Sequence, residues 1–512
     1  VLESSIGDSA RRDRKSLEVK SATRLKLDYF TLAESLKSAG YATAHFGKWH
    51  LGAEPYDPLH QGFDVDLPHA PVPGPYPSYL APWKFWPGQG KPGDHIEDRM
   101  AREAVAFILA HKNGPFFVNY WAFSVHAPYK GKAEYIERYR SNAPGPDERQ
   151  RCPEYAAMVR SLDDAVGTLM DALEKEGLAD DTVVIFTSDN GGNMYDEVDG
   201  VPPTDNHPLR SGKASFYDGG TRVPCIVCWP GLTKSGTQTD SPIMSTDFFP
   251  TFCEVLGIPT GGVRFDGKSF APLLRGEDFR RGPMFCHFPH PMGKISTDPA
   301  SWVRDDDWKL IRLYNANGDQ TDRFELYNTK EDIGETNDLS ARHPERAAAL
   351  SAMLDGFLAD AGAKIPLPNP EYDRDFITSV GGWRAAHDAE WRRSGDGFVL
   401  KCTANDPQIV TDMKTAVRGP FRLEVSIRSN GRGPATVYWS SGGRFERARS
   451  VTFPMAHDDA WHAHCAEIAA TSAIKSLRLD PGSAPADVRI SHIRLVNEAG
   501  ERLASWDFAS QQ

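Results

Sequence analysis

Three features are scarce in this sequence of 512 residues: long apolar runs, excess positive charge and regularly spaced cysteines. No apolar run reaches the roughly 18 residues of a membrane-spanning helix, so no membrane span is expected. The formal net charge is -12 and the pI is near 5.8, which argues against a nucleic-acid partner. The 7 cysteines are odd in number and lack a tight spacing pattern, so they do not indicate a disulfide framework.

What is present is an ordinary globular composition, 40% hydrophobic and 25% charged, in a chain long enough for two or three domains. Strands alternate with helices in the first half, which predicts a largely parallel α/β domain over residues 1–280. Residues 281–370 change to antiparallel strands and a closing helix. Beyond the proline-rich linker at 366–370, short alternating strands predict a β-sandwich over residues 380–512, which we expect to be an accessory module.

An apolar run from Val183 to Phe186 stops at a polar turn that contains Asp189, Asn190 and a glycine pair. The run predicts a buried parallel strand, and ligands gather at the carboxyl ends of such strands. A carboxylate and an amide carbonyl are hard oxygen ligands that suit calcium or magnesium, and glycines let the backbone approach closely. Taken alone, the motif is equally compatible with a turn that binds nothing.

Two polar side chains follow the first predicted strand. The helix before that strand begins at a capping box formed by Thr31 and Glu34. In an extended backbone, Lys48 and His50 point to one side while Trp49 points to the other. The sequence therefore predicts a cation and an imidazole on one face.

Two further candidates lie later in the chain. His126 follows the apolar strand at 116–121, and Lys213 follows the polar loop after the central strand. A single lysine or histidine is more often a surface or core residue than a catalytic one. These residues are therefore candidates only as members of a set.

Aromatic residues are concentrated in an insertion at 71–93, whose length is typical of a functional loop. Its aromatics either stack on sugar rings or pack against one another, and self-packing is favoured. Trp439 and Trp461 in the predicted sandwich have the same two alternatives, and packing is again favoured. Cys225 and Cys228 have zinc-type spacing, but alternate apolar neighbours favour core strand residues.

Together these residues resemble the sulfatase family of the alkaline phosphatase superfamily. The segment GYATAHFGKWHLG at 40–52 resembles the second sulfatase signature almost residue for residue. The elements SVHAP, TSDNGG, LRSGK and YDGGTRVP follow in the expected order. The resemblance covers residues 11–370 and implies an alkaline-phosphatase-like, mostly parallel sheet flanked by helices. The chain looks like arylsulfatase-like proteins that carry a carboxyl-terminal β-sandwich.

The resemblance also implies roles for the polar residues. Asp189 and Asn190 are implied as calcium ligands, and Lys48 and Lys213 as ligands of the sulfate oxygens. This agrees with the chemistry, because hydrolysis of a sulfate ester needs positive groups at the charged oxygens and a metal that polarises the ester.

The two histidines are implied as proton carriers. His126 protonates the leaving oxygen, and His50 assists the turnover of the nucleophile. The predicted catalytic set is Lys48, His50, His126 and Lys213, and the predicted substrate-binding set is Lys48, His126 and Lys213.

One part of the family pattern has no counterpart in these 512 residues. The family's nucleophile is a Cys or Ser in the motif C/S-x-P/A-x-R, converted to formylglycine, and it precedes the GKWH element together with two metal-binding aspartates. All cysteines lie after His50, and none begins this motif; Ser9 does not match either. The first residue is Val1 and no signal peptide opens the chain. We therefore expect a processed or incomplete amino terminus without the nucleophile, and a periplasmic or secreted location.

Three functions stay open. The leading hypothesis is a calcium-dependent sulfatase that hydrolyses a sulfate ester, with a sulfated carbohydrate or polysaccharide as a candidate substrate, and that is inactive without its nucleophile segment. The second is a non-catalytic sulfoglycan-binding protein. The third is a phosphodiesterase of the same superfamily, disfavoured because GKWHLG and a single Asp-Asn pair resemble sulfatases more than two-metal phosphatases.

Overall fold

The computed structural model describes residues 12–508 except 18, 21, 143–144, 146–147, 292–297, 396, 443, 471 and 484. The described residues form two compact units. One comprises residues 19–368, and the other comprises residues 12–17 with residues 369–508. The predicted division of the first unit near residue 280 stays a prediction.

The first unit combines α-helices with short strands. Its helices are α1 (Leu32–Ser38), α2 (Ile96–His111), α3 (Ala133–Ser141), α4 (Pro153–Lys175), α5 (Asp218–Thr221), α6 (Phe248–Leu256), α7 (Ala271–Leu274) and α8 (Pro344–Asp360). Its strands are β1 (Ala42–Gly47), β2 (Val65–Leu67), β3 (Phe116–Trp121), β4 (Val184–Thr187), β5 (Cys225–Cys228), β6 (Met284–Phe288), β7 (Ala300–Asp305), β8 (Trp308–Leu313) and β9 (Arg323–Asn328).

A parallel sheet of order β2-β1-β3 lies at the centre of the first unit. Ala44 and Phe46 of β1 are buried against Ala104 and Phe107 of α2. Burial of a phenylalanine side chain contributes about 2–3 kcal/mol, so this contact fixes the helix on the sheet. The parallel sheet flanked by helices confirms the predicted fold class.

The first helix begins as the sequence predicts. Thr31 Oγ1 accepts a hydrogen bond from the Glu34 backbone N–H at 3.1 Å, and Glu34 Oε2 accepts one from the Thr31 N–H at 2.7 Å. This reciprocal pair is the capping box. It sets the start of α1, which delivers the chain to β1.

The prediction of a buried parallel strand at Val183–Phe186 is wrong in two respects. The strand β4 pairs antiparallel with β5, and Phe186 is 38% exposed. Cys225 and Cys228 are exposed as well, although they were expected in the core. The physical reason is that β4 and β5 form a two-stranded sheet of their own among the described residues, so neither is a central strand of a larger sheet.

The apolar spacing of Val159, Leu162, Val166, Leu169 and Leu173 predicts a helix over residues 154–177. The long helix α4 is that helix, but of these five residues only Leu173 is buried. Ala157, Met158 and Ala165 are buried, whereas Val159 is 45% exposed. Neighbouring helix α2 packs along α4, and small residues allow the two helices to approach closely. The buried face is therefore set by this contact and not by the largest apolar side chains.

An antiparallel sheet of order β6-β7-β8-β9 and helix α8 complete the first unit, as predicted for residues 281–370. Val303, Leu310 and Leu326 from three strands pack against Leu350 and Leu354 of α8. The other face of the sheet packs around Trp302 and Ile311. The sheet is therefore buried on both sides.

The second unit is a sandwich of antiparallel strands. These are β10 (Phe376–Ile377), β11 (Ser379–Val380), β12 (Trp383–Ala386), β13 (Ala389–Ser394), β14 (Gly397–Cys402), β15 (Gln408–Val417), β16 (Phe421–Ser429), β17 (Ala435–Ser440), β18 (Ser450–Phe453), β19 (Trp461–Ile468), β20 (Ile474–Asp480), β21 (Ala486–Asn497) and β22 (Arg502–Asp507). One sheet has the order β10-β13-β14-β21-β16-β19 with β22 paired to β21, and the other has the order β11-β12-β15-β20-β17-β18. This confirms the predicted carboxyl-terminal sandwich.

Alternation along the strands builds the sandwich core. In β16, Phe421, Leu423 and Val425 are buried, and the residues between them are exposed or half-buried. Trp439 packs against this core, as expected, whereas Trp461 is 48% exposed and does not. Across the described parts of both units, no helix combines the length and apolarity needed to cross a bilayer.

Candidate active site

Lys48 and His50 follow β1 as expected, but they lie in a turn and not in the extended segment that was predicted. The strand ends at Gly47, where a Cβ atom would lie 2.0 Å from the carbonyl oxygen of Trp121, so only glycine fits. His50 has φ of 50°, in the left-handed region, and is not extended as predicted. Trp49 is buried and stacks on Trp121 with ring centroids 5.5 Å apart. The turn therefore separates Trp49 from the two polar residues that flank it.

His126 lies in a turn just after β3. The hydroxyl of the buried Tyr79 bonds to the carbonyl oxygens of Phe123 at 2.6 Å and His126 at 2.8 Å. His126 Nδ1 lies 2.7 Å from the carbonyl oxygen of Ala127. Because a carbonyl only accepts, Nδ1 carries the hydrogen, and Nε2 is the nitrogen available to a ligand.

A buried carboxylate supports the same turn. Glu97 is fully buried at the start of α2, and its Oε1 accepts from the Ser124 backbone N–H at 2.7 Å. Its Oε2 accepts from the Tyr120 hydroxyl at 3.1 Å. Burial raises the pKa of Glu97, and these hydrogen bonds oppose the rise.

Backbone contacts join the segment around Asp189 to the segment around Lys213. The Lys213 N–H donates to the Gly192 carbonyl at 3.0 Å, and the Gly191 N–H donates to the Gly220 carbonyl at 3.0 Å. A Cβ atom on Gly191 would lie 1.8 Å from the carbonyl oxygen of Gly219. The expected close approach of the glycine pair is therefore confirmed, and it fixes Lys213 beside Asp189.

Five of the six predicted site residues interact electrostatically with one another: Lys48, His50, His126, Asp189 and Lys213. The sixth, Asn190, is adjacent to Asp189 in sequence. Burial lowers the pKa of Lys48, and Asp189 opposes this. Burial and the charge of Lys48 lower the pKa of Lys213. The two lysines thus share one partly buried space with Asp189, where the charge of Lys48 disfavours that of Lys213.

The positive charges of the two lysines also lower the pKa values of His50 and His126. Burial and the charge of Lys213 lower the pKa of His126, and burial and Lys48 lower that of His50. Both imidazoles are therefore biased toward their neutral form at neutral pH. An anion placed between the lysines reverses this bias, because it offsets the positive charge.

Residues on both sides of Lys213 have unusual backbone angles. Ser211 has φ of 66° and Ala214 has φ of 69°, in the left-handed region that glycine favours. The Tyr195 hydroxyl bonds to Ser211 Oγ and accepts from the Gly212 N–H at 3.0 Å. Strained backbone of this kind concentrates at functional sites, where surrounding contacts maintain it.

Asp189 and Asn190 were predicted as metal ligands. Their side chains supply at most three oxygens, two from Asp189 and one from Asn190, whereas calcium takes about 6–8 oxygen ligands. Within the described residues, no group of three or more His, Cys, Asp or Glu side chains is placed to hold a metal ion. The residues described here therefore do not form a complete calcium site.

A buried charge cluster behind Lys213 was missed by the sequence analysis. Lys309 Nζ lies 2.7 Å from Asp218 Oδ1 and 2.8 Å from Glu335 Oε1, and all three side chains are buried. Glu335 Oε2 also accepts from the Asp218 N–H at 2.6 Å. The sequence signal that could have revealed the cluster is Lys309, which lies on the same face of the strand as Ile311 and Leu313.

Two buried histidines, one on β1 and one at the start of α2, give a prediction for pH dependence. Burial lowers the pKa of His45 to about 3 and that of His95 to about 4. In the unfolded chain these histidines bind a proton near pH 6.5, so below that pH the unfolded state holds more protons. We expect the free energy of unfolding to fall by about 1 kcal/mol per pH unit for each histidine between pH 6.5 and 4.

Urea unfolding measured across this range tests the expectation. The matched variant is His95→Asn, which keeps an acceptor for the Glu97 N–H that His95 Nδ1 now caps at 3.3 Å but does not titrate. In this variant, the slope of the free energy of unfolding against pH should decrease by the contribution of one histidine. An unchanged slope would contradict the assignment of His95.

Comparisons with known proteins match both halves of the first unit. The sulfatase family profile matches residues 9–258, and the profile described as N-sulphoglucosamine sulphohydrolase, C-terminal, matches residues 211–360. The sheet of β6 to β9 and helix α8 lie within the second match.

Similar proteins carry related names. The chain is 32% identical over 385 residues to a sulfatase of Formosa agariphila, covering 63% of this chain and 68% of that protein. It is 31% identical over 278 residues to human N-acetylgalactosamine-6-sulfatase, and 32% identical over 280 residues to human arylsulfatase A. These matches cover 50% and 49% of this chain, and the chain spans about half the length of either human relative, 50% and 52%.

Solved structures share the fold. The structure of Ps i-CgsB with k-i-k-neocarrahexaose has a TM-score of 0.55 at 24% identity and covers 72% of this chain and 79% of that one. The structure of BT4656 with its substrate D-glucosamine-2-N,6-O-disulfate has a TM-score of 0.53 at 23% identity, covering 67% and 84%. With the profile match and a 32% identical relative covered over 68% of its length, these findings establish that the chain belongs to the sulfatase family.

Proposed function

We propose that this protein binds the sulfate group of a sulfate ester between Lys48 and Lys213 and that the site serves hydrolysis of that ester. The observation that carries the proposal is the convergence of two partly buried lysines, Lys48 and Lys213, with two histidines beside Asp189. Two ammonium groups in one partly buried space repel each other even with Asp189 beside them, and a bound anion relieves this repulsion. Such preorganised cations also stabilise negative charge that develops on the sulfate oxygens during reaction.

We assign the proton transfers of the reaction to the two histidines. His126 keeps its Nδ1 hydrogen on the Ala127 carbonyl, so Nε2 faces the bound ester. Binding of the anion offsets the charge of Lys213 and raises the pKa of His126, which favours the imidazolium. Nε2–H then donates to the leaving oxygen, and His50 exchanges a proton with the group that attacks sulfur.

A covalent step needs a nucleophile, and the 512 residues contain no C/S-x-P/A-x-R motif. We propose that a nucleophile from outside these residues completes the reaction. A divalent metal, calcium in our proposal, would be held by Asp189 and Asn190 with further oxygen ligands beyond these two. It would polarise the ester.

The substrate class follows from the relatives. Their names and ligands are N-acetylgalactosamine-6-sulfatase, k-i-k-neocarrahexaose and D-glucosamine-2-N,6-O-disulfate. We propose a sulfated carbohydrate for this protein. The second candidate, a non-catalytic protein that binds sulfated glycans, is favoured only by the absence of the nucleophile motif.

The purified 512-residue protein separates binding from catalysis. We expect it to bind inorganic sulfate, measured by calorimetry, and to show no hydrolysis of 4-nitrophenyl sulfate with or without calcium, because no activated nucleophile is present. Lys213→Ala should abolish sulfate binding, whereas Lys234→Ala, an exposed lysine elsewhere, should not. Calcium-dependent release of nitrophenol would overturn the expected inactivity, and failure to bind sulfate would overturn the proposed site.

A paired phosphate ester tests the remaining alternative. In the protein form that carries the nucleophile, 4-nitrophenyl sulfate should be hydrolysed faster than bis(4-nitrophenyl) phosphate. The opposite preference would identify a phosphodiesterase of the same superfamily.

A further inference from the structure

Of the five aromatic residues of the insertion at 71–93, two are buried, Phe85 and Trp86 are partly buried, and Tyr76 is exposed. Tyr79 and Trp83 are 0% and 3% exposed and pack with Phe123 and Met158, so self-packing, the favoured alternative, is confirmed for them. Tyr76 is 47% exposed. Single exposed aromatic rings are common on protein surfaces, so the significance of Tyr76 depends on what its ring lies beside.

The ring of Tyr76 lies beside the histidine that faces the ester. The ring centroids of Tyr76 and His126 are 6.5 Å apart, with the planes at 77°. We propose that Tyr76 is the platform on which the pyranose ring of a sulfated sugar stacks, a role that rests on the proposed function. The ester oxygen protonated by His126 is covalently part of that sugar, so the sugar must lie next to this side chain.

The loop holds Tyr76 in place on the site. Gly74 approaches so closely that a Cβ atom there would lie 3.3 Å from His126 Nδ1 and 3.1 Å from the Ala127 carbonyl oxygen. The Tyr76 N–H donates to the Gly74 carbonyl at 2.9 Å. Since the Tyr79 hydroxyl also bonds to the His126 carbonyl, loop and turn form one packed structure. The platform is therefore preorganised and does not depend on a mobile segment.

A second tyrosine, Tyr129, lies near Tyr76 and interacts electrostatically with it. Tyr129 packs with the same cluster as Tyr79, and its hydroxyl donates to Asp196 Oδ2 at 3.2 Å. Asp196 in turn interacts electrostatically with Lys213. This arrangement suits a ligand with an anionic group at one end and, at the other, a flat face of C–H groups edged with hydroxyls. A sulfated pyranose has both.

Binding to the 512-residue protein tests the platform without requiring turnover. The probes are methyl sulfate, N-acetylgalactosamine 6-sulfate and unsulfated N-acetylgalactosamine, measured by calorimetry. Methyl sulfate carries the same charge without a ring, so the ratio of the two ester affinities reports the contribution of the ring. We expect the sulfated sugar to bind about fivefold more tightly than methyl sulfate, the size of effect that one aromatic contact produces.

Three variants make the test specific. Tyr76→Ala should reduce the affinity for the sulfated sugar about fivefold and leave methyl sulfate unchanged, since the lysines are untouched. Tyr76→Phe should behave as the wild type, because stacking uses the ring and not the hydroxyl. Tyr29→Ala removes another exposed tyrosine, 59% exposed, and should change neither affinity.

The outcomes separate the two proposals. If Tyr76→Ala leaves the ratio unchanged, or if the wild type shows no preference for the sugar ester over methyl sulfate, the platform is refuted while the sulfate site stands. If the wild type binds neither ester, or if Lys213→Ala does not weaken methyl sulfate, the proposed function itself fails. Loss of methyl sulfate binding in Tyr76→Ala would also refute the platform, because the tyrosine would then act on the sulfate site.

Discussion

Lys213→Ala and His126→Ala are each expected to lower kcat on the order of a hundredfold in the protein form that carries the nucleophile. Lys213 contributes positive charge where the sulfate oxygens become more negative, and His126 supplies the proton for the leaving oxygen. A hundredfold loss corresponds to about 2.7 kcal/mol of transition-state stabilisation.

The two variants should differ in how they respond to the leaving group. The leaving group of 4-nitrophenyl sulfate, 4-nitrophenolate, departs without needing a proton. The His126→Ala variant should therefore hydrolyse this ester much better than it hydrolyses an alkyl or sugar sulfate. Lys213→Ala should be equally impaired on both, because every sulfate ester develops the same charge on its oxygens.

Matched controls distinguish chemistry from folding. Lys234→Ala removes an exposed lysine and should retain full activity. Thermal unfolding of all variants should stay close to that of the wild type, because neither Lys213 nor His126 is part of an apolar core cluster. Unchanged turnover in a folded Lys213→Ala or His126→Ala protein would show that the assigned role is wrong.

Local sequence signals predicted those elements whose cause is local. The capping box of Thr31 and Glu34 starts α1, and the apolar spacing that predicts a helix over residues 154–177 matches α4 at Pro153–Lys175. Both depend on contacts within about one helical turn, which the sequence displays directly.

Burial of a strand depends on partners far away in the chain, and here the sequence was misleading. The run at 183–186 reads as a buried strand, yet β4 is half exposed because its observed partner is only β5. The same limitation applies to α4, where the contact with α2 selects small residues. Apolar content indicates the capacity to be buried, and the tertiary pairing decides whether burial occurs.

The candidate site was partly within reach of sequence reasoning. The motif order identified Lys48, His126 and Lys213 as a set, although the extended geometry assumed for His50 was wrong. The exposure of Tyr76 could not be predicted, because nothing in the loop sequence distinguishes this residue from the other aromatic residues. The ring beside His126 is visible only once the buried Tyr79 fixes the loop on the turn.

Lys309→Met is expected to destabilise the first unit by about 3–5 kcal/mol, the largest stability effect we predict. Lys309 is 1% exposed and lies between the carboxylates of Asp218 and Glu335. Arg304 is farther from Asp218, at 3.7 Å, and leaves Glu335 without compensation. Removing the lysine therefore leaves two buried carboxylates that repel each other.

The cost should come from the carboxylates and not from lost packing, because methionine retains most of the length of lysine. The triple variant Lys309→Met, Asp218→Asn, Glu335→Gln removes all three charges, so it should be markedly more stable than Lys309→Met alone. The control Lys330→Met changes a lysine that is 76% exposed and should shift stability by less than about 0.5 kcal/mol. Urea denaturation of these proteins measures the differences in their free energies of unfolding. If the triple variant is as unstable as the single one, the cluster acts through shape and hydrogen bonding, and the buried charges do not account for the loss.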